Sequence, residues 1–290
     1  MRIMKDMDSF PPLPLRKLPT QGADMLLPIA SPKPLNTHLA FVAMVLGLIP
    51  LATPAFASAG AELPTDLAGV QWVGRFGLGM APWQEIQLKS GQRPNTFKLI
   101  QWEGVQAVEV ISKASISLLA RPISVDLNTA PVLCWRWRIG ASLSQADMTR
   151  KEGDDYAGRV YVSFRLPPSA MGFGMRAQLA LARAMWGEDV PDAAINYVWD
   201  NRQPIGTTRP NAFTDRAQMV VLRSGDQDAG RWVWERVDVR RDVTRLFGAG
   251  AEPVQLAITA DTDNTQAATR SWFADFHFLP ADIPCDRQQR

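Results

Sequence analysis

The chain has 290 residues, of which 46% are hydrophobic and 21% charged, and its formal net charge at pH 7 is +2. Residues 1–57 hold five of the 31 basic and three of the 29 acidic residues, so residues 58–290 carry 26 of each and are neutral. A neutral chain offers no electrostatic basis for binding nucleic acid. His277 is the one histidine after residue 57, which argues against a Ser-His-Asp triad or a histidine-rich zinc site.

The first feature in chain order is an export signal. Residues 39–49 form a short apolar run, LAFVAMVLGLI, with basic residues before it and A-x-A cleavage sites around Ala57. This pattern predicts a signal peptide and leader over residues 1–57, followed by one periplasmic or secreted domain over residues 58–290. The alternative is an uncleaved anchor, but the run is shorter than the ~20 residues of a membrane-spanning helix. The membrane is therefore expected as a partner only through the leader, during export.

The rest of the chain reads as a series of short strands. Predicted strands cover residues 97–101, 105–111, 115–120, 123–127, 132–139, 159–165, 195–199, 218–223, 232–239, 254–259 and 272–278. Glu103-Gly104 is typical of a hairpin turn, an Ala-, Leu- and Met-rich segment at 175–186 predicts a short inserted helix, and a second helical turn is expected at 242–247. The predicted fold class is all-β, a two-sheet antiparallel sandwich of the jelly-roll type.

The strand at 132–139, VLCWRWRI, alternates between two faces. Trp135 and Trp137 occupy its apolar phase, and they and Trp272 are interpreted as core residues rather than as a binding platform. Cys134 lies on the opposite phase. It would either pair with Cys285 in an oxidising compartment or remain a small buried side chain beside a free Cys285 thiol. The unpaired alternative is favoured, because the geometry of a disulfide is demanding.

Six motifs in order resemble one bacterial family, the domain of unknown function 3047. They are APVLCWRWRI, KEGDDYAGRVYVSF, INYVWDNRQPIGTTRPNAFT, MVVLRSGDQDAGRWVWERVDVRRDV, ITADTDNT and WFADFHF, which span residues 130–278. The resemblance implies a secreted protein with a jelly-roll-like sandwich similar to carbohydrate-binding modules. It implies no activity and no established site residues. The helix at 175–186 is interpreted as an insertion peculiar to this branch.

Polar residues on the strands suggest a ligand-binding face. If their strands are neighbours, arginines and carboxylates would alternate on one sheet surface and bind a glycan or another cell-envelope component. The candidate ligand-binding residues are Arg136, Arg138, Asp154, Asp155, Arg159, Asn196 and Trp199. The alternative is a solvated network of cross-strand ion pairs.

A second candidate site follows the strand at 254–259. Asp261, Asp263 and Asn264 crowd into one loop, and Asp275 on the last strand would add a fourth oxygen ligand. Oxygen-rich clusters are what calcium prefers, so a structural calcium ion is the one cofactor considered. The spacing is not that of an EF-hand. The alternative is a tight turn in which Asp263 or Asn264 bonds its own backbone and supports the strand end.

Three functions remain open at this point. The leading hypothesis is a non-catalytic β-sandwich that binds a glycan or envelope component. The second is a polysaccharide hydrolase that uses an acidic pair from Asp154, Asp155, Asp200 and Glu235. The third is a structural protein that docks a partner through the helix at 175–186. No Gly-rich phosphate loop, nucleophile elbow or CxxC motif occurs, so a cofactor-dependent enzyme is not expected.

Overall fold

The computed structural model describes residues 69–88, 91–186 and 190–285, and the predicted signal peptide at residues 1–57 lies outside them. In chain order the strands are β1 (Gln71–Gly74), β2 (Gln84–Ile86), β3 (Thr96–Trp102), β4 (Val105–Lys113), β5 (Leu118–Pro122), β6 (Val132–Ile139), β7 (Tyr156–Arg165), β8 (Ala193–Asp200), β9 (Thr208–Asn211), β10 (Thr214–Ser224), β11 (Val233–Asp238), β12 (Glu252–Asp261) and β13 (Ala268–Leu279). The helices are α1 (Phe173–Trp186) and α2 (Val239–Phe247).

The strands form two sheets that share one hydrophobic core. The six-stranded sheet has the order β11-β6-β13-β4-β3, with β1 also paired to β13, and the seven-stranded sheet has the order β2-β5-β12-β7-β8-β10-β9. Side chains from both sheets meet in the main core cluster. The predicted all-β sandwich is confirmed, and α1 and α2 cover the two predicted helical segments.

The prediction of purely antiparallel sheets is wrong at one place, because β8 and β10 are parallel neighbours. Parallel neighbours need a crossover between them. Here the chain leaves β8, runs along the sheet edge as β9, and returns antiparallel to β9 as β10. A short edge strand thus allows one parallel pair in a sheet whose other pairings are antiparallel.

The strand predicted at 123–127 is not a strand. Its alternation is real, since Ile123, Val125 and Leu127 are all buried and belong to the core cluster. The segment packs against the core without joining a sheet, and β5 ends at Pro122. An alternating pattern reports which side chains are buried and not whether the backbone has a ladder partner.

Local chemistry explains the turn between β3 and β4 and the two ends of the helix α2. Glu103 and Gly104 both have positive φ angles, 51° and 76°, which give the tight turn between the antiparallel strands β3 and β4. The helix α2 begins after Asp238, whose side chain accepts a hydrogen bond from the backbone N–H of Arg241 at 2.8 Å. It ends at Gly248, where φ is 94°.

Aromatic side chains fill the centre of the sandwich. The Trp137 ring lies 5.5 Å from Trp199 and 5.6 Å from Trp135, and Trp135 stacks on Phe276 at 6.0 Å. Trp137 Nε1 donates to Glu235 Oε1 at 2.9 Å, and Trp199 Nε1 donates to the Gly225 carbonyl at 2.9 Å. The interpretation of Trp135 and Trp137 as core residues is confirmed.

Cys134 and Cys285 form a disulfide, so the favoured expectation of two unpaired cysteines is wrong. Cys134 faces away from the main core on β6, and the C-terminal segment after β13 folds back over it. Both cysteines pack in a small apolar cluster with Val70, Val132 and Leu279. This return of the chain end gives the pair the required proximity, with Cα atoms 5.7 Å apart.

Neither helix among the described residues is long and apolar enough to cross a bilayer. The helix α1 is held at the side of the seven-stranded sheet. Arg183 Nη2 donates to Asp192 Oδ1 at 2.5 Å, and Asp192 Oδ2 accepts from the backbone N–H of Leu166 at 2.8 Å. Leu179 on α1 is buried against the domain, at 1% exposure.

Candidate functional site

The outer side of the seven-stranded sheet carries a set of buried polar side chains, here called the polar face. Along β7, Val160, Val162 and Phe164 point into the core, so the residues between them point outward. The polar face consists of Arg159, Tyr161 and Ser163 on β7, Asn196 on β8, and Gln255 and Thr259 on β12. Strand register places Ser163 opposite Gln255, and Tyr161 opposite Asn196.

Arg159 is the centre of a charged network at one end of this face. Its Nη1 atom lies 3.3 Å from Asp261 Oδ2 and 3.6 Å from Asp154 Oδ2, and its Nε donates to Asn196 Oδ1 at 3.3 Å. The guanidinium carbon lies 4.6 Å from the Tyr161 ring centre. A buried arginine thus has two carboxylates and aromatic faces as partners, which is how a buried charge is tolerated.

Burial shifts the ionisation of this network. Burial raises the pKa of Asp261 well above its usual range, although the Arg159 guanidinium opposes the shift, and Asp155 and Asp263 add to it. Burial likewise raises the pKa of Asp154, with Arg159 again acting in the opposite sense. The pKa of Arg159 is raised, because neighbours led by Tyr161 and Asp154 outweigh the effect of burial, so the guanidinium stays charged.

Three side chains of the polar face have unused hydrogen-bonding atoms. Ser163 Oγ, Asn196 Nδ2 and Gln255 Oε1 are buried and have no hydrogen-bond partner among the described residues. Ser163 and Asn196 are both 0% exposed. Buried polar atoms are nearly always satisfied by protein, water or ligand, because leaving one unpaired costs ~1–3 kcal/mol. The three atoms lie on the adjacent strands β12, β7 and β8.

A scan against protein families matches residues 81–277 to the family described as "Protein of unknown function (DUF3047)". The chain belongs to this family. The match covers the strands from β2 to β12 and most of β13, and it confirms the resemblance seen in the motifs.

Two further comparisons add no function to this member of the DUF3047 family. A search of the curated proteins found no match. Among solved structures, the chain is similar to the xyloglucanase domain of NopAA, a type three effector from Sinorhizobium fredii, in complex with cellobiose. The identity is 10%, the TM-score is 0.35, and the alignment covers 69% of this chain and 99% of the other. That similarity is too low to bear on the ligand of the DUF3047 chain.

The predicted ligand-binding residues of the DUF3047 chain do not share one face. The strands β6 and β7 belong to different sheets, so the expectation that their polar residues are neighbours is wrong. Arg159 and Asn196 lie on the polar face, and Asp154 and Asp155 lie in the loop at its end. Arg136 and Arg138 lie on the outer side of the six-stranded sheet, and Trp199 lies in the core between the sheets.

Arg136 and Arg138 are engaged with indole rings on a surface here called the tryptophan–arginine face. The Arg138 guanidinium lies 4.2 Å from the Trp102 ring centre and ion-pairs with Glu103 at 3.0 Å. Arg136 ion-pairs with Asp275 and lies 5.3 Å from the Trp234 ring centre. The face consists of these two arginines with Trp72, Trp102, Trp232, Trp234 and Trp272.

Trp272 is buried, as its interpretation as a core residue expects, but it packs on this outer face rather than between the two sheets. It is 4% exposed, yet it lies opposite Arg138 in the β6–β13 register and packs edge-on against Trp102 at 4.6 Å. The neighbouring Phe273 points into the core instead. Burial against other side chains of an outer face gives the same sequence pattern as burial between the sheets, so the pattern predicts that Trp272 is buried but not on which side of the sheet it lies.

The four predicted metal ligands do not lie together, since Asp275 is on the six-stranded sheet and the other three are at or after the end of β12 in the other sheet. The carboxylate oxygens of Asp155, Asp261 and Asp263 lie within 4.8 Å of one another, and Asn264 adjoins them. Asp275 does not join this group, because it pairs with Arg136 on the six-stranded sheet. The predicted loop is therefore an oxygen-rich corner, but its third carboxylate is Asp155 from the loop before β7.

The predicted turn contacts, in which Asp263 or Asn264 bonds its own backbone, do not occur among the described hydrogen bonds of this loop. Asp155 Oδ2 accepts from the Thr265 backbone N–H at 2.7 Å and from its hydroxyl at 2.5 Å, and Asp155 Oδ1 accepts from the Asn264 backbone N–H at 3.1 Å. The loop is therefore held by the Asp155 carboxylate from another loop, and not by Asp263 or Asn264 bonding its own backbone.

The four carboxylates considered for hydrolysis have other partners. Asp154 accepts from Asn211 Nδ2 at 2.8 Å as well as facing Arg159. Asp200 caps the following turn by accepting from the backbone N–H groups of Arg202 and Gln203. Glu235 belongs to β11 in the six-stranded sheet and is bonded by Arg223 Nε at 2.6 Å. These contacts describe structural acceptors rather than an acid–base pair facing a common cleft.

Sequence reasoning missed Gln255 of the polar face and Gln92 beside the oxygen-rich corner. Gln92 Nε2 donates to Asp263 Oδ2 at 2.6 Å across a separation of 171 residues. Gln255 lies on β12, whose alternation with Leu256 and Ile258 is visible in the sequence. That alternation identifies Gln255 as outward-facing, but only the register with Ser163 identifies its neighbour.

Proposed function

We propose that this protein is a non-catalytic glycan-binding β-sandwich whose polar face binds an uncharged saccharide. The observation that carries the proposal is the set of unpartnered atoms on Ser163, Asn196 and Gln255. Asn196 Nδ2 is a donor, Gln255 Oε1 is an acceptor, and Ser163 Oγ can be either. Sugar hydroxyls both donate and accept hydrogen bonds, so the hydroxyls of a saccharide can pair with all three atoms.

The charges near this face support an uncharged ligand. Arg159 is the cation of the polar face, and its guanidinium already contacts Asp154, Asp261 and Asn196. An acidic sugar would have to compete with two buried carboxylates for it. The Tyr161 ring adjoins these groups, and an aromatic side chain beside hydrogen-bonding atoms is a common arrangement in polar ligand sites.

The test uses Ser163→Ala and Gln255→Leu in the purified full chain. Affinity electrophoresis would be run in gels containing a soluble neutral β-glucan, a neutral mannan or polygalacturonate. We expect the wild-type protein to be retarded by a neutral polymer, and each variant to bind roughly tenfold more weakly, since one hydrogen bond is worth about 1 kcal/mol or more. Ser112→Ala is the matched control, because Ser112 is equally buried but lies on β4 in the other sheet.

Three results would overturn the proposal. The first is that no neutral polymer retards the wild-type protein. The second is that both polar-face variants are retarded as strongly as the wild-type protein. The third is release of reducing sugar ends when the protein is incubated with a polymer that it binds, which would favour the hydrolase hypothesis instead.

The proposed function includes export to an oxidising compartment. The supporting observation is the Cys134–Cys285 disulfide, because disulfides persist in periplasmic and secreted proteins and are rare in reducing cytosol. Cell fractionation with a C-terminal tag would test it. Recovery of the protein in the cytosol with free thiols would contradict export.

A further inference from the structure

The loop after β12 and the loop before β7 meet in an acidic corner formed by Asp155, Asp261 and Asp263. One carboxylate oxygen from each residue lies within 4.8 Å of the others. Asp155 and Asp261 are buried, at 1% and 2% exposure, while Asp263 is partly exposed. The corner is therefore accessible from one side and enclosed on the other.

Negative charge in this corner exceeds the positive charge that faces it. Arg159 ion-pairs with Asp261 and Asp154, whereas Asp155 and Asp263 have no ion pair within the described ranges. Four carboxylates thus face one guanidinium. Ionised carboxylates at such short separations in a partly desolvated site repel one another strongly, and a bound cation would compensate their charge.

A buried oxygen without a partner provides an independent indication of a ligand. Asp261 uses Oδ2 to contact Arg159, while its Oδ1 is buried and has no hydrogen-bond donor in the part of the chain that the structure describes. The Gln92 side chain shows the same feature, since Nε2 donates to Asp263 and Oε1 has no described partner. Both unused atoms are oxygens, and oxygen is the ligand atom of a hard cation.

Amide side chains can add further oxygen ligands to the corner. Asn264 Nδ2 lies 3.2 Å from Asp155 Oδ1 and 3.2 Å from Asp263 Oδ1. A half-turn of an amide exchanges its nitrogen for its oxygen at the same position. The half-turn would therefore place Asn264 Oδ1 between the carboxylates, and the same rotation would place Gln92 Oε1 toward Asp263.

We propose that the acidic corner binds calcium through Asp155, Asp261 and Asp263, with the side-chain oxygens of Gln92 and Asn264 and with water. Calcium accepts six to eight oxygens in irregular geometry, which suits ligands drawn from three separate loops. The ion fixes the loop before β7 against the loop after β12. It thereby holds Asp154 and Arg159 in place at the end of the polar face.

The experiment measures calcium binding directly and through stability. Isothermal titration of chelator-treated protein with CaCl2 should give saturable binding, with a Kd of about 10⁻⁴–10⁻³ M, as in extracellular modules. Calcium should raise the Tm by several degrees and magnesium by less, because magnesium demands stricter geometry and loses water reluctantly. No saccharide is needed, so a negative result here leaves the glycan proposal intact.

Asp263→Asn is the informative variant, since it keeps the size and hydrogen-bonding ability of a partly exposed side chain. It should abolish the calcium-dependent rise in Tm, and it should weaken calcium binding at least tenfold. Asp275→Asn is the control, because Asp275 pairs with Arg136 on the other sheet, and it should keep the full calcium effect. The proposal is overturned if wild-type protein shows no calcium heat and no change in Tm. It is equally overturned if Asp275→Asn abolishes the effect while Asp263→Asn retains it, or if magnesium matches calcium.

Discussion

Arg159 Nε donates to Asn196 Oδ1 across the β7–β8 pair, at 3.3 Å, and this bond orients the Asn196 amide. The oxygen is engaged by the guanidinium, so the Nδ2 group is the one that remains available on the polar face. A side chain whose one end is fixed and whose other end is unused is preorganised for a ligand, because the ordering cost is met on folding.

We predict different stability effects for substitutions of two serines that are both 0% exposed. Ser163→Ala should leave the free energy of unfolding unchanged within about 0.5 kcal/mol or raise it, because Ser163 Oγ has no described partner. Ser112→Ala should lower it by about 1–3 kcal/mol, because Ser112 Oγ bonds the Ser115 carbonyl at 2.8 Å and the Thr262 hydroxyl at 2.7 Å. Urea denaturation monitored by tryptophan fluorescence would measure both. Equal losses in the two variants would contradict the difference in bonding.

Arg159→Met should destabilise the protein by about 3–5 kcal/mol, because it leaves Asp154 and Asp261 buried without their cation. Adding Asp261→Asn should recover part of the loss by removing one of the two unpaired charges. The measurement is urea denaturation with chelator present, so that calcium binding does not contribute. Strictly additive losses in the double variant would count against coupling between Arg159 and Asp261.

The sequence predicted the polar phase of β6 and β7 but not which strands are neighbours. The alternation in β6 and β7 correctly placed Arg136, Arg138 and Arg159 on outward faces. It could not show that β6 lies beside β13 while β7 lies beside β12, because pairing depends on contacts between residues far apart in the chain. The single predicted ligand face is therefore two surfaces, the polar face and the tryptophan–arginine face. For the same reason, the third carboxylate of the acidic corner is Asp155 and not the predicted Asp275.

Removal of the disulfide should cost about 2–5 kcal/mol of stability, since it joins residues separated by 151 positions and so restricts the unfolded chain. Cys134→Ser and Cys285→Ser should each show this loss in guanidinium denaturation. Addition of a reductant should lower the stability of the wild-type protein by a similar amount and leave either variant unchanged. If the reductant lowered the stability of the variants by the same amount, its effect would not come from the Cys134–Cys285 disulfide.

His277 should make the protein sensitive to mild acid. Burial lowers its pKa from 6.5 to about 4, so the unfolded state takes up a proton before the folded state does. Its contribution to stability is complete above pH 6.5 and is lost as the pH falls toward 4, by up to roughly 3 kcal/mol. His277→Phe keeps a ring beside Trp72 and cannot protonate, so its stability should fall less over this interval. Parallel curves of unfolding free energy against pH for the two proteins would refute the prediction.

The position of β13 fixes when the six-stranded sheet can be completed during synthesis. This last strand lies at the centre of the sheet and pairs with β1, β4 and β6. Until it emerges, β4 and β6 each present an unpaired edge, and such edges favour association between chains. The incomplete chain therefore depends on being kept apart from other copies, and loss of even the final strand would remove the element that joins both halves of the sheet.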